Sequence, residues 1–133
     1  LLAVLPDGTG HVTESHVVWR YHKAAPKKPS ILFKDGLLFM IDDGGVATCL
    51  DARTGTEIWK ERVGGNFSAS PIMAGSMIYL FDESGKGTVL AAERSFKVIA
   101  TNELNDGCMG SPAVVGDMLV VRTKRALYGL RQQ

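Results

Sequence analysis

Cysteine and histidine, the residue types that most often carry chemistry, are few in this chain and form no reactive pattern. Cys49 and Cys108 stand 59 positions apart, which matches neither a CxxC redox pair nor the ligand spacing of a zinc site. We expect both to be small buried hydrophobic residues, and the pattern leaves a disulfide between them open. The three histidines, His11, His16 and His22, all fall in the first 22 residues and have no cysteine nearby. They are expected to be ordinary surface or edge residues.

Acidic pairs and repeated serines are the other candidates for a site. Asp42-Asp43 and Asp82-Glu83 could supply oxygen ligands, but each pair precedes glycine and lacks the alternating oxygen ligands of a calcium loop. Turns are the favoured interpretation. Ser70 and Ser111 both precede a proline at equivalent places, which favours a structural role because a catalytic serine would normally occur once. The sequence therefore predicts no catalytic residue, no metal site and no cofactor in this segment.

The composition excludes two classes of partner. With 133 residues, 45% hydrophobic content and a net charge of +1, the chain can build an ordinary core and lacks the basic excess of a nucleic-acid-binding protein. No apolar run approaches the ~20 residues that span a bilayer, so no membrane span is predicted. The chain begins with Leu1 rather than Met, and we expect it to be a piece of a longer polypeptide.

One hairpin organises the chain. A strand ends at Asp51, Thr54 and Gly55 form a tight turn because glycine tolerates a positive φ, and a second strand carries Trp59 on a buried face. Trp19 precedes Trp59 by 40 residues, so the motif has an earlier counterpart. These five residues are predicted to form a structural motif that anchors one repeat to its neighbour.

The punctuation of the chain repeats with a period near 40. Gly36 and Gly75 are 39 residues apart, Gly75 and Gly116 are 41 apart, and Pro71 and Pro112 are 41 apart. Each repeat holds four short strands without helical periodicity, which is typical of a β-propeller blade. The predicted fold is all-β: a propeller segment of antiparallel four-stranded blades, about three blades plus a partial one, in an incomplete ring.

The blade boundaries follow from the turn signals. The predicted single segment, 1–133, divides into a partial blade at 1–22, full blades at 30–62 and 69–104, and a blade at 110–131 that lacks its outermost strand. The fourth strand of the second full blade is predicted from Phe96 to Thr101. An incomplete ring leaves sheet faces and edges open, so we expect packing on other blades of the parent chain or self-association. We further expect the chain to be the C-terminal part of a larger ring.

The hairpin motif resembles the repeat of quinoprotein-type propellers, the PQQ-like repeats. Asp51, Thr54, Gly55 and Trp59 match that repeat, whereas Cys49 stands where alanine is usual. The Ser-Pro starts of two blades also fit, and the resemblance covers nearly the whole chain. It implies the propeller fold but not one function, because BamB-type assembly lipoproteins and quinone-dependent alcohol dehydrogenases share the repeat. It also implies a periplasmic or other extracytoplasmic location.

The favoured function is a non-catalytic scaffold or protein-interaction module within a larger propeller protein. The alternative is the C-terminal part of a pyrroloquinoline-quinone-dependent oxidoreductase, which would bring the quinone and calcium as cofactors. The resembled dehydrogenases use adjacent cysteines, and this chain has none. That departure weighs against the alternative.

A partner-binding face is predicted on the loops that follow the second and fourth strands of each blade. Those loops mix both charge signs with apolar side chains, which suits a protein or peptide better than a phosphate backbone. The residues proposed for this face are Asn66, Phe67, Asn105, Asp106 and Met109. Phe67 and Met109 would be its apolar anchors, or they would fill gaps between blades; the sequence leaves both alternatives open.

Overall fold

A computed structural model describes residues 1–131 and confirms the all-β prediction for them. No helix in this range is long and apolar enough to cross a membrane. The strands in chain order are β1 (Leu2–Val4), β2 (Val17–Arg20), β3 (Leu32–Lys34), β4 (Leu37–Ile41), β5 (Val46–Asp51), β6 (Glu57–Arg62), β7 (Ile72–Ala74), β8 (Met77–Phe81), β9 (Lys86–Ala91), β10 (Val98–Glu103), β11 (Ala113–Val115), β12 (Met118–Arg122) and β13 (Leu127–Arg131).

The strands form four antiparallel sheets, in each of which the spatial order follows the chain order. We call β1–β2 the first pair, β3–β6 blade A, β7–β10 blade B and β11–β13 blade C. Short turns join consecutive strands, and Gly36, Gly75 and Gly116 take positive φ values at three equivalent turns. This succession of small meanders is the predicted propeller segment.

The inner strands of the full blades are buried on both faces. In β5 the four residues from Ala47 to Leu50 are all buried, and β9 has the same pattern, whereas the outer strands β6 and β10 are mostly exposed. A strand alternates its side chains between two faces, so continuous burial means that another sheet covers each face. The blades therefore stack face to face.

The hydrophobic clusters lie at the seams between sheets. The largest joins Phe39 and Cys49 of blade A to Ile78 and Leu80 of blade B. A second cluster holds Tyr21, Met40 and Leu50 between the first pair and blade A. A third holds Phe81, Cys108 and Val121 between blades B and C. Because each seam has its own core, the stability of the segment depends on contacts between neighbouring sheets.

The outer strand of blade B differs from its prediction. We expected it from Phe96 to Thr101, but β10 spans Val98–Glu103. Phe96 instead lies in the turn before it, where the N–H of Ala91 bonds to the carbonyl of Lys97 at 3.0 Å. The ring of Phe96 packs against Trp59 of blade A, with ring centroids 5.3 Å apart. An aromatic residue that stabilises a seam can stand in a turn, and the propensity pattern misassigned it to the strand.

Candidate functional site

The loops of the propeller segment lie on two opposite faces. The turns after β4, β8 and β12 share one face with the links between blades, and we call this the loop face. The turns after the first and third strands of a blade meet on the other face, where Ala52 N–H bonds to the Gly36 carbonyl at 2.8 Å. This arrangement places the predicted partner-binding residues on the loop face.

Each link between blades bonds to the central turn of the next blade. The Lys27 N–H, in the link before blade A, donates to Asp43 Oδ1 at 2.9 Å. The Asn66 carbonyl, in the next link, accepts from the Glu83 N–H at 2.8 Å. In the third link, Asp106 Oδ2 accepts from the Arg125 N–H at 2.9 Å. The same connection thus recurs three times, with carboxylates and backbone groups exchanging roles.

The first acid of each acidic pair closes its own turn. Asp42 Oδ1 accepts from the N–H groups of Gly44 at 3.0 Å and Val46 at 2.8 Å. Asp82 is only 5% exposed, and its Oδ1 accepts from the N–H of Ser84 at 2.9 Å and of Lys86 at 3.0 Å. Side-chain bonds of this kind replace backbone partners in a tight turn. Within residues 1–131, no three His, Cys, Asp or Glu side chains stand together as potential metal ligands.

The second acid of each pair joins an ion cluster around Lys28. Lys28 Nζ lies 2.9 Å from Ser68 Oγ, 3.4 Å from Glu83 Oε1 and 3.9 Å from Asp43 Oδ2. The Ser68 hydroxyl and then Lys28 lower the pKa of Glu83 below its ordinary value. The backbone N–H of Lys27 does the same for the pKa of Asp43. The Lys28 side chain is 51% exposed, so the cluster is a solvated crosslink between loops.

The predicted partner-binding residues divide into exposed and buried ones. Phe67 is only 2% exposed and packs in the core between blades A and B, so the expectation of an exposed anchor is wrong for this residue. Met109 is 60% exposed, and Asn66 and Asn105 are also exposed. Asp106 is half-buried, and the Thr123 hydroxyl and the Arg125 N–H lower its pKa. The glycines before Phe67 let the chain turn inward, which hydrophobicity alone could not predict.

The two tryptophans occupy equivalent places at consecutive seams. Trp59 Nε1 of blade A donates to the Glu93 carbonyl of blade B at 3.2 Å, and its ring also approaches Phe39, with centroids 6.1 Å apart. Trp19 Nε1 of the first pair donates to the Ala52 carbonyl of blade A at 3.1 Å. In both cases an indole on an outer strand bonds to the turn between the third and fourth strands of the following blade.

The rest of the hairpin motif forms the turn on which Trp19 rests. Asp51 Oδ1 accepts from the N–H groups of Arg53 and Thr54, both at 3.0 Å. The Thr54 N–H is the main cause of a lowered pKa for Asp51. Gly55 has a φ of 71°, and a Cβ on it would lie 2.6 Å from Cδ2 of the Trp19 ring. Glycine is therefore required twice, by the backbone and by the close approach of the indole.

Ser70 and Ser111 connect successive blades. The Ser70 hydroxyl accepts from the N–H of Ser30 at 2.9 Å, and the Ser111 hydroxyl accepts from the N–H of Ser70 at 2.9 Å. Sequence reasoning missed Ser30, which also opens a blade but follows its proline rather than preceding one. Its spacing of 40 residues from Ser70 was the available signal.

The cysteines are both free and both fully buried. Burial raises the pKa of Cys49 to about 11 and also raises that of Cys108. A thiol with a raised pKa is a poor nucleophile near neutral pH because little thiolate is present. The environment of both residues is that of small hydrophobes in a core.

His16 belongs to a contact that has the residue types of a hydrolase triad. Ser15 Oγ lies 2.6 Å from His16 Nδ1, and Asp7 Oδ1 lies 3.5 Å from His16 Nε2. The Asp7 side chain is 76% exposed, so water competes with the histidine for the carboxylate. A catalytic relay needs a buried acid that fixes the imidazole. The contact is an ordinary surface one, as expected for these histidines.

A cleft between blades B and C is the main concave feature that sequence reasoning missed. It has a volume of about 800 Å³ and is lined mostly by apolar side chains, among them Tyr79, Phe81, Ile99, Leu119 and Leu130. Ala100, on the outer strand of blade B, also lines it. The signal in the sequence was the alanine itself, because blade A carries a tryptophan at the equivalent place.

Solved structures of low sequence identity share the fold. BamB from Moraxella catarrhalis is 14% identical, with a TM-score of 0.58 over 70% of this chain and 28% of its own. The quinohemoprotein alcohol dehydrogenase ADHIIG from Pseudomonas putida HK5 is 17% identical, with a TM-score of 0.59 over 71% and 16%. The computationally designed Ika8 protein is 12% identical, with a TM-score of 0.60 over 75% and 32%. The chain thus spans less than a third of each of these proteins.

The sequence comparisons are more specific. No curated protein sequence matches the chain. A family model described as outer membrane protein assembly factor BamB matches residues 12–123, which include all of blades A and B. That range contains both tryptophans, the turn motif and the repeated serines. The chain therefore belongs to this BamB-like family of PQQ-like repeat propellers.

Proposed function

We propose that this chain is a non-catalytic propeller segment that serves as a scaffold for protein interaction. The observation that carries the proposal is the repetition of bonding roles on the loop face. The carboxylates of Asp43 and Asp106 bind the neighbouring loop, while Asp42 and Asp82 close their own turns. Groups that recur from blade to blade in the same structural role are not available as a unique base or nucleophile.

The proposed partner surface is the exposed remainder of the loop face. Asn66, Asn105 and Met109 project from two successive links and are exposed. Exposed methionine and amide side chains beside charges of both signs suit a protein partner. Phe67 contributes indirectly, because its burial fixes the link that carries Asn66.

A photocrosslinking experiment tests this surface in the full-length protein. We expect p-benzoylphenylalanine at position 109 to yield one defined protein adduct in the native host after irradiation. The control is the same replacement at Asp35, whose side chain is 85% exposed on the opposite face. Met109→Glu should then weaken binding of the identified partner in purified form. The same adducts from both positions would contradict the proposal.

Quinone-dependent oxidoreduction is the second candidate, and it is favoured by one observation: the chain shares its fold with quinohemoprotein alcohol dehydrogenases. A role in such an enzyme would require the quinone and calcium. Dye-linked dehydrogenase activity of the full-length protein that depends on both cofactors would support this candidate and overturn the scaffold.

An extracytoplasmic location is part of the same proposal. Its support is the family description, which names a factor of outer-membrane protein assembly. Protection of the full-length protein from external protease until the outer membrane is permeabilised would be the expected result for a periplasmic protein. Release of the protein only after lysis of the inner membrane would contradict it.

A further inference from the structure

Blades A and B have the same strand register but differ at one position of their outer strands. In blade A, Cys49 pairs with Trp59, and the register shifts directly after Cys49. In blade B, Val89 pairs with Ala100, and a register shift lies at the same place. Ala100 therefore occupies the position that Trp59 has in the preceding blade. The first pair carries Trp19 at this position, so only blade B, among the outer strands described, lacks the indole.

The cleft of about 800 Å³ lies at the seam where this indole is absent. Ala100 lines it together with Tyr79, Ile99 and Leu130. Ile99 is 46% exposed and Leu130 is 38% exposed, so apolar surface remains open to water there. The volume falls within the range of about 300–1,000 Å³ that is usual for ligand sites.

The cleft also offers a polar group without a strong partner. The Tyr79 hydroxyl has one hydrogen-bond contact within residues 1–131, to the thioether of Met77 at 3.8 Å. A thioether is a weak acceptor, so the hydroxyl oxygen remains available to accept an N–H. In the two filled seams the indole N–H reaches a carbonyl at 3.1 and 3.2 Å. An indole in the cleft has the Tyr79 hydroxyl as an acceptor.

We propose that this cleft, which we call the indole cleft, binds a tryptophan side chain presented by a partner protein. The occupant is inferred from continuity with the neighbouring seams, where the same position of the same repeat is filled by an indole. Aromatic side chains are common anchors because they bury a large area with few rotatable bonds. The inference rests on the proposed scaffold function, since the tryptophan comes from a protein partner.

Binding of 5-fluoroindole to the full-length protein, followed by ¹⁹F NMR, tests the cleft without any partner. We expect saturable binding to the unaltered protein and its loss in Ala100→Trp, where the new side chain fills the cleft. Thr101→Trp is the matched control, because Thr101 is exposed on the same strand and does not line the cleft. This control should bind the probe normally. Equal binding to all three proteins, or none to the unaltered one, would overturn the inference.

Tyr79→Phe keeps the apolar wall and removes the hydroxyl, so it tests the cleft even if Ala100→Trp fails to fold. Loss of one net hydrogen bond should weaken 5-fluoroindole binding about fivefold. N-acetyl-L-tryptophanamide should compete with the probe, whereas N-acetyl-L-leucinamide should not. Competition by both to the same extent would refute an indole-specific site.

Two further outcomes separate this inference from the proposed function. Concentration-dependent association that Ala100→Trp abolishes would assign the cleft to a second copy and overturn a partner's tryptophan as the occupant. Quinone-dependent dehydrogenase activity would overturn the scaffold function, but it would leave the 5-fluoroindole result readable. A failed probe titration with the crosslink at position 109 intact would reject the cleft alone.

Discussion

Replacing Trp59 by alanine should uncouple blade A from blade B. The indole packs edge-on against Phe96 with centroids 5.3 Å apart, approaches Phe39 at 6.1 Å and bonds to the Glu93 carbonyl at 3.2 Å. Each aromatic pair contributes about 0.5–1.5 kcal/mol and the hydrogen bond about 1 kcal/mol. The sum is about 3 kcal/mol, at the low end for truncating a tryptophan, as expected for a half-buried one.

Hydrogen exchange in the full-length protein is the suitable assay because a repeat protein opens locally. A loss of about 3 kcal/mol corresponds to roughly a hundredfold faster exchange in peptides that cover β6 and the turn before β10. Trp59→Phe retains a ring but not the donor and should cost about 1 kcal/mol. Val98→Ala, at a site that is 45% exposed on the outer strand of blade B, is the control and should change little. Exchange in Trp59→Ala that differs from the unaltered protein by less than threefold would refute the anchor.

Four other perturbations have defined outcomes. Gly55→Ala should destabilise by at least about 1 kcal/mol more than Gly36→Ala, because both have positive φ but only the former meets the Trp19 ring; equal urea midpoints would contradict this. Cys49 and Cys108 should resist a thiol reagent at pH 8 until the protein unfolds, and fast labelling of the folded protein would show that they are accessible. The lowered pKa of Glu83 means that its stabilisation is present above its unfolded value of 4.5 and is lost as pH falls through the folded value; Glu83→Gln should flatten the acid limb of a pH-stability curve, and an unchanged limb would count against the cluster. The exposed apolar side chains of blade C predict that residues 1–133 alone self-associate at micromolar concentration, which a stable monomer in sedimentation would disprove.

Sequence reasoning identified the fold because the repeat is encoded locally. Turn glycines, strand propensities and a 40-residue period are properties of short segments, and they sufficed to assign the blades of a propeller. The candidate surface was less predictable, because exposure depends on contacts between blades. Phe67 and Met109 occupy corresponding links and looked alike in sequence, yet one is 2% and the other 60% exposed. Only the path of each link decides which side chain turns inward.

The cleft shows where function is best sought in a repeat protein. Positions that keep their residue from blade to blade, such as the serines that join consecutive blades, are explained by the bonds that they make in every repeat. A position that departs from the repeat has no such explanation and exposes whatever the common residue would have covered. Ala100 is such a departure: the strand register is retained, the anchor is absent, and the apolar wall beneath it remains. If the alanine were only a tolerated loss, restoring tryptophan there would add stability and change no binding. Because stabilising replacements of this kind are readily available to a sequence, a retained cavity is better explained by use than by neglect.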